Sequence, residues 1–186
     1  MNSKKCLLAV LAGAVIVFVW LNISWMVLEW HGIKSVNDQE ATGSALKAAA
    51  PEDGVYAVPA WKDKDGKMLE PDEMAKAAEA GPFAFMVILP DGKKMSMARS
   101  MITGFVIQIV GALLLCFLML MVSGGSGSDF KRRVIVAVCF SLAAGLMPAL
   151  SNWNWWHFPI GYTFATIADS LISWTLAGLA MARILK

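Results

Sequence analysis

The sequence has 186 residues, 58% of them hydrophobic, and a formal net charge of only +2. Soluble domains are usually about 45 to 50% apolar, so this composition disfavours a protein that is surrounded by water alone. The 16 Lys and Arg residues are too dispersed to form a nucleic-acid footprint, and the expected primary partner is therefore the lipid bilayer.

The first long apolar segment extends from Cys6 to Trp30 and carries a single charge, Glu29. About 20 such residues in a helix cross the hydrocarbon of a bilayer, so this segment is long enough to span it. Lys4 and Lys5 precede it, as in a secretory signal peptide, but the apolar core of a signal peptide has only about 7 to 15 residues. Residues 1–31 are therefore predicted to be a cytoplasmic N-terminus and an uncleaved signal anchor.

A polar segment, residues 32–100, follows. Its first part, Ser35–Asp53, is rich in Ala, Gly and charge without apolar periodicity, which predicts a loose tether. Val55–Val58 contains β-forming residues and predicts a strand, and Lys62–Lys67 is dense in turn formers.

The second half of the polar segment predicts a helix and further strands. Pro71–Ala80 begins with Pro and two acids, as helices do, and Gly81-Pro82 ends it. Phe83–Leu89 predicts a buried strand, from which Lys94–Ala98 would return after a turn as another strand. We expect a small sheet with one helix on it. About seventy residues bury too little surface for a robust core, so contact with the membrane or a partner is expected.

Residues 101–186 contain three more apolar segments, which predict three spanning helices. The cytoplasmic loop 123–133, with the flexible linker Ser123–Ser128, separates the first two, and the aromatic loop 151–158 separates the last two. Pro148 is expected to kink the middle helix. The segments are Met101–Val122, Val134–Leu150 and Phe158–Leu185.

The charges flanking these segments predict their orientation. Seven basic residues and one acid, Asp129, lie in the flanks assigned to the cytoplasm, which fits the positive-inside rule. Between His31 and Ser100 there are nine Lys and Arg against eleven Asp and Glu. The prediction is a four-helix transmembrane bundle, both termini cytoplasmic, with a small extracytoplasmic α+β insertion between helices 1 and 2. Five tryptophans predict an interfacial aromatic belt at the outer surface: Trp25, Trp30, Trp153, Trp155 and Trp156.

One polar residue in each spanning segment falls about 12 to 15 Å below the outer surface, counted at 1.5 Å per residue. These residues are Asn22, Gln108, Ser141 and Asp169. A carboxyl group at that depth should face protein and find a donor, and Asn22 or Gln108 is the expected donor for Asp169. The layer is interpreted either as interhelical hydrogen-bond glue or as a position for a proton, ion or ligand.

Glu29, His31 and His157 form a second candidate cluster at the outer surface. Two imidazoles and a carboxylate are a plausible divalent-metal set, although such sites usually show closer spacing, as in H-E-x-x-H. The alternative is that these are ordinary interfacial side chains. No cofactor is predicted.

The three cysteines, Cys6, Cys116 and Cys139, all lie in apolar segments and form no C-x-x-C pair, which favours a role as small buried hydrophobes. Small residues at four-residue spacing, Ala9 with Gly13 and Gly178 with Ala182, permit close helix approach within the chain or between subunits. No G-x-S-x-G, Walker or Rossmann motif is present, which disfavours an ordinary hydrolase or nucleotide enzyme.

Three segments resemble a family of bacterial four-helix inner-membrane proteins that has no established activity: Gly81–Gly92 together with the helix near Met101, Trp153–Pro159, and Ala168–Trp174. The resemblance implies a multi-pass protein of the bacterial inner membrane with a small extracytoplasmic domain between helices 1 and 2. The favoured function is a non-catalytic accessory or scaffold subunit, associated with other membrane subunits or as a homo-oligomer. The alternatives are a small carrier, sensor or ligand-binding protein that uses the layer around Asp169, and a membrane enzyme or metal site at the outer surface.

Overall fold

The computed structural model describes residues 3–63, 65–124 and 129–186. Residue 64 of the predicted turn and residues 125–128 of the predicted linker lie outside this part. The chain divides into two compact units, one made of the residues up to Ile33 with Ser96–Lys186, the other of Lys34–Met95. Its elements in order are α1 (Ser3–Ile23), a π-helical turn (Ser24–Leu28), α2 (Gln39–Ala49), β1 (Gly54–Val58), α3 (Pro71–Ala80), β2 (Ala84–Ile88), α4 (Met97–Met121), α5 (Asp129–Trp156) and α6 (Ile160–Ile184).

The first unit is a bundle of four helices that are long and apolar enough to cross a membrane, as the sequence predicts: α1 with its π-helical turn, α4, α5 and α6. In α6 the residues at positions 165, 169, 173, 177 and 181 are buried, and in α5 those at 133, 137, 141, 145 and 149. Side chains four residues apart form one ridge along a helix, so each helix turns one such ridge inwards.

Other buried positions are glycines that let the helices approach closely. A Cβ atom added to Gly13 of α1 would lie 2.6 Å from the Met181 sulfur of α6, and one added to Gly178 would overlap the Cβ of Ala137 in α5. Ala9 and Ala182 are fully buried. The small residues singled out in the sequence therefore serve packing within the chain.

The predicted limits of the third spanning helix are too narrow. α5 begins at Asp129, ends at Trp156 and contains Pro148 in its interior. Residues 151–156 are thus helical and do not belong to a loop, because Asn and Trp tolerate a helix. His157, directly after the helix, has a φ of +53°, and Pro159 disfavours helical geometry at Phe158.

The second unit contains a two-stranded antiparallel sheet, in which β1 pairs with β2 and Val55 lies opposite Val87. Both strands and the helix α3 lie where the sequence predicts them, but β2 is not the buried strand that was expected, because Phe85 and Val87 are 39% and 69% exposed. The turn after β1 is also confirmed in its described residues, since Asp63 Oδ1 accepts hydrogen bonds from the backbone N–H groups of Asp65 and Lys67, each at 2.9 Å.

Two further expectations for this unit are wrong. The predicted tether contains α2, whose first turn is capped by Asp38, with Oδ1 accepting a hydrogen bond from Ala41 N at 2.8 Å. The predicted returning strand Lys94–Ala98 does not form, because Ser96 caps α4 and the helix begins at Met97. In both places an N-cap residue, Asp38 or Ser96, starts a helix within a short polar stretch.

Candidate functional site

The carboxylate of Asp169, in the middle of α6, is the centre of the candidate site. Its Oδ2 lies 2.9 Å from Nε2 of His31, and its Oδ1 accepts a hydrogen bond of 2.9 Å from the Trp20 indole N–H. Only 4% of Asp169 and 5% of His31 is exposed. An ionisable side chain inside a spanning helix needs partners, and here both carboxylate oxygens have one. We call these three residues the Asp169 clasp.

The chain reaches Asp169 through an unusual end to its first helix. After the π-helical turn Ser24–Leu28, Glu29 adopts a left-handed conformation with a φ of +48°, and Gly32 N–H donates to the Glu29 carbonyl at 3.4 Å. A left-handed non-glycine residue costs about 1 to 2 kcal/mol and persists only where its surroundings impose it. This reversal of the chain directs the imidazole of His31 towards α6.

A hydrogen bond fixes the reversal to the helix before it. The indole N–H of Trp30 donates to Ser24 Oγ at 2.8 Å, and Ser24 is fully buried. π-helical turns within α-helices are frequent at functional sites, because they re-aim the side chains that follow. The position of His31 is thus determined by the turn and by Trp30 together.

Three aromatic rings enclose the imidazole of His31. Trp25 stacks on it with a centroid distance of 3.9 Å and an angle of 14°, whereas Trp30 and Tyr162 meet it edge-on at 6.3 and 5.9 Å. Such surroundings exclude water and strengthen the hydrogen bond to Asp169.

The predicted polar layer is distributed over three helix contacts. Asn22 Nδ2 donates to the Phe18 carbonyl at 2.7 Å, and Gln108 shares with Asn22 a cavity between α1 and α4. Ser141 accepts a hydrogen bond at its carbonyl from Ser170 Oγ, at 2.9 Å, between α5 and α6. The expected donors to Asp169, Asn22 and Gln108, are therefore replaced by Trp20 and His31.

The second predicted cluster is separated into different environments. His31 belongs to the Asp169 clasp, Glu29 is exposed at the chain reversal, and His157 lines a cavity of about 290 Å³ with Trp153, Asn154 and Phe158. Within residues 3–63, 65–124 and 129–186, no three His, Cys, Asp or Glu side chains are grouped so that they could hold a metal ion.

The predicted aromatic belt occupies helix ends. Trp25 and Trp30 lie just beyond α1 and remain 46% and 38% exposed, although both also enclose His31. Trp153, Trp155 and Trp156 form the end of α5, and Trp155 is the most exposed of these, at 71%. An indole suits such a position because it combines an apolar ring with a polar N–H.

Two members of the site were missed in the sequence. Trp20 lies ten residues before the predicted end of its segment, too deep for the aromatic belt, and its buried N–H requires an acceptor. Asp169 lies at a similar depth in its own predicted segment. The need of the Trp20 N–H for an acceptor is therefore the signal that could have paired the two residues. Tyr162 carries no comparable signal, since its contact with His31 depends on the reversal at Glu29.

A second buried ionic contact lies at the opposite end of the bundle. Arg133 is 5% exposed, its Nε donates to Ser123 Oγ at 2.9 Å, and its terminal nitrogen lies 3.9 Å from Asp129. Nearby, Arg183 and Lys186 both lie over the ring of Phe130, at 5.2 and 4.8 Å from its centroid. The basic side chains at this end of the bundle therefore make contacts within the chain, to Ser123, Asp129 and Phe130.

Comparison of the chain with protein-family models, with curated proteins and with solved structures finds no match.

Proposed function

We propose that this chain is a multi-pass protein of the bacterial inner membrane and a non-catalytic accessory or scaffold subunit of a larger membrane complex. In this proposal both termini are cytoplasmic and the unit Lys34–Met95 is extracytoplasmic. The charge pattern supports this orientation, because the basic residues Lys131, Arg132 and Arg133 all lie at the same end of one candidate spanning helix, in the first two turns of α5.

The observation that carries the scaffold function is the composition of the second unit. Among its described residues only Ala50 is buried. Val55 and Val87, which pair across the two strands, are 63% and 69% exposed. A two-stranded sheet without a covered apolar face is marginally stable, and burial of a Val side chain is worth about 1.5 to 3 kcal/mol. A protein surface laid on this sheet would supply the missing core.

The geometry of Asp169 supports the same function. Its two oxygens are used by His31 and Trp20, which belong to the same chain. Interhelical hydrogen bonds of this kind stabilise membrane bundles by about 0.6 to 2 kcal/mol each. A carboxylate that is closed off in this way suits assembly better than the transient binding of a substrate.

The test is the size of the native assembly. Membranes are dissolved in a mild detergent, and the mass of the particle that contains the full chain is measured by native mass spectrometry. We expect a particle of constant stoichiometry larger than one chain. Val87→Asp should release the chain from it, whereas Val36→Asp, which changes another exposed Val of the same unit, should not.

Two results contradict this proposal. One is a monomeric chain in every mild detergent that preserves known membrane complexes from the same cells. The other is a particle whose mass is unchanged by Val87→Asp, because the sheet would then take no part in the assembly.

A second candidate, a small sensor or carrier, is favoured by one observation: the buried imidazole of His31 next to the carboxylate of Asp169. Histidine is the side chain that ordinarily changes charge near neutral pH. The change Asp169→Asn distinguishes the two functions. A sensor would assemble normally and lose its response to external pH, whereas a scaffold subunit would lose stability in proportion to the lost contact.

A further inference from the structure

Two positively charged side chains share one aromatic ring at the end of the bundle where α5 begins and α6 ends. The guanidinium carbon of Arg183 lies 5.2 Å from the centroid of Phe130, and the ammonium nitrogen of Lys186 lies 4.8 Å from it. The two charges are therefore no more than about 10 Å apart. Because Phe130 packs against the buried cluster of the bundle, its ring holds both cations at the edge of the apolar core.

The charge of this pair is not neutralised within the part of the chain that the structure describes. There, neither Arg183 nor Lys186 forms an ion pair with the carboxylate of another residue, and both side chains are exposed. The acidic side chain in the same turn as Phe130 is Asp129, which lies 3.9 Å from Arg133 and is paired with it. Two like charges repel each other, so an anion that binds both of them is favoured at this position.

The surface of α6 beside the two cations is apolar. Leu176 and Leu179 are 46% and 38% exposed. They precede Arg183 by seven and four residues, so the three side chains lie on one face of the helix. Lys186 follows Arg183 by three residues and extends the same face. This face is apolar within the candidate spanning helix and cationic at its end, which complements a molecule with acyl chains and an anionic headgroup.

We propose that Arg183 and Lys186, held over the ring of Phe130, bind the phosphodiester group of an anionic phospholipid whose acyl chains lie along Leu176 and Leu179. The phosphate oxygens accept charge-assisted hydrogen bonds from the guanidinium and ammonium groups. Basic residues at the ends of spanning helices meet the headgroups of the adjacent leaflet, so a lipid is the source of the anion. A zwitterionic phospholipid has the same phosphate but carries its own cation, and it binds more weakly.

The experiment compares two lipids on the full chain, purified in a neutral detergent and freed of co-purified lipid. Dioleoyl phosphatidylglycerol and dioleoyl phosphatidylcholine have the same acyl chains and differ in the charge of the headgroup. Each is titrated separately at physiological ionic strength, and native mass spectrometry counts the lipid molecules bound per chain. A cation near anionic lipid contributes about fivefold in affinity, so we expect phosphatidylglycerol to bind about tenfold or more tightly than phosphatidylcholine.

Matched variants locate the site. Arg183→Gln and Lys186→Gln should each reduce the preference for phosphatidylglycerol about fivefold, whereas Arg132→Gln should change it less than about twofold. Arg132 is also exposed in the first turn of α5, but a residue two positions after Phe130 points to another side of the helix. Arg183→Lys keeps the positive charge and should keep most of the preference, which separates the loss of charge from a loss of folding.

Three results overturn the proposal. The first is equal binding of the two lipids by the unmodified chain. The second is an equal loss of preference in Arg132→Gln and Arg183→Gln, because the preference would then belong to the whole basic end of the bundle. The third is displacement of phosphatidylglycerol by an excess of inorganic phosphate at constant ionic strength, because the two cations would then bind a free anion without any contribution from the acyl chains.

Discussion

His31 Nε2 and Asp169 Oδ2 lie 2.9 Å apart, although 138 residues separate them in the chain. The contact joins the segment that follows the first spanning helix to the middle of the last one. The indole N–H of Trp20 in α1 donates to the other oxygen of Asp169. The side chain of Asp169 therefore joins the first and the last helix of the bundle.

Replacement of the Asp169 carboxyl group should weaken the bundle. Asp169→Asn keeps the size of the side chain but presents an N–H₂ group to one of two donors, so we expect a loss of about 2 kcal/mol in the free energy of unfolding. The measurement is a titration with sodium dodecyl sulfate in mixed micelles. Asp72→Asn, at an exposed position of α3, is the control and should change stability by less than about 0.5 kcal/mol.

A double-mutant cycle measures the His31–Asp169 contact itself. His31→Ala and Asp169→Asn are combined, and a coupling energy of about 0.5 to 3 kcal/mol is expected for two residues in direct contact. Strictly additive losses would show that the two side chains do not interact in the membrane protein.

The indole N–H of Trp20 should contribute separately. Trp20→Phe retains most of the apolar ring but leaves Asp169 Oδ1 without its donor, and we expect a loss of about 1 kcal/mol. Trp153→Phe provides the control, because Trp153 lies at the end of α5 and 47% of it is exposed. Equal effects of the two changes would argue against the hydrogen bond.

The sequence predicts the spanning helices well because a single energetic requirement determines them. About 20 consecutive apolar residues are typical of a helix that crosses a bilayer, and such a helix satisfies its backbone hydrogen bonds within itself. Each of the four segments could therefore be recognised from its own composition. The strands Gly54–Val58 and Ala84–Ile88 and the helix Pro71–Ala80 were also predictable, since Pro, Gly and acidic residues stand at their ends.

The partners of Asp169 could not be predicted in the same way. Depth counted along the chain does not show which face of a helix a residue occupies, nor that Asn22 donates to the Phe18 carbonyl of its own helix. The position of His31 depends on a π-helical turn and a left-handed Glu29, neither of which has a sequence signal. The expected donors to Asp169 were therefore wrong, since His31 and Trp20 take their place.

The N-cap of α2, Asp38, provides a test in the second unit. Asp38→Ala removes the acceptor for Ala41 N–H, and loss of an N-cap costs about 1 kcal/mol. Hydrogen exchange of the backbone amides of α2 should become faster, while exchange in the spanning helices is unchanged. Asp53→Ala, between α2 and β1, is the matched control. Equal exchange rates in both variants would contradict the capping role.

Close helix approach at Gly178 makes a steric prediction. Gly178→Ala would place a methyl group on the Cβ of Ala137, and we expect a loss of about 1 to 3 kcal/mol despite the better helix propensity of Ala. Gly161→Ala, at the start of the same helix, meets no atom within 4 Å and should be neutral or slightly stabilising. A stable Gly178→Ala variant would mean that α5 and α6 lie farther apart.

Labelling of intact cells tests the orientation that the proposed function requires. In a variant whose three cysteines are replaced by Ser, a cysteine is introduced either at Lys76 on α3 or at Lys131 in the basic flank of α5; both positions are exposed. A membrane-impermeant maleimide should label the Lys76→Cys protein directly and the Lys131→Cys protein only after the membrane is permeabilised. The reverse pattern would place the Val55–Val87 surface in the cytoplasm. The positive charges of α5 would then have crossed the membrane against the potential, at a cost of about 2.3 kcal/mol per charge for each 100 mV, which is why we expect the first pattern.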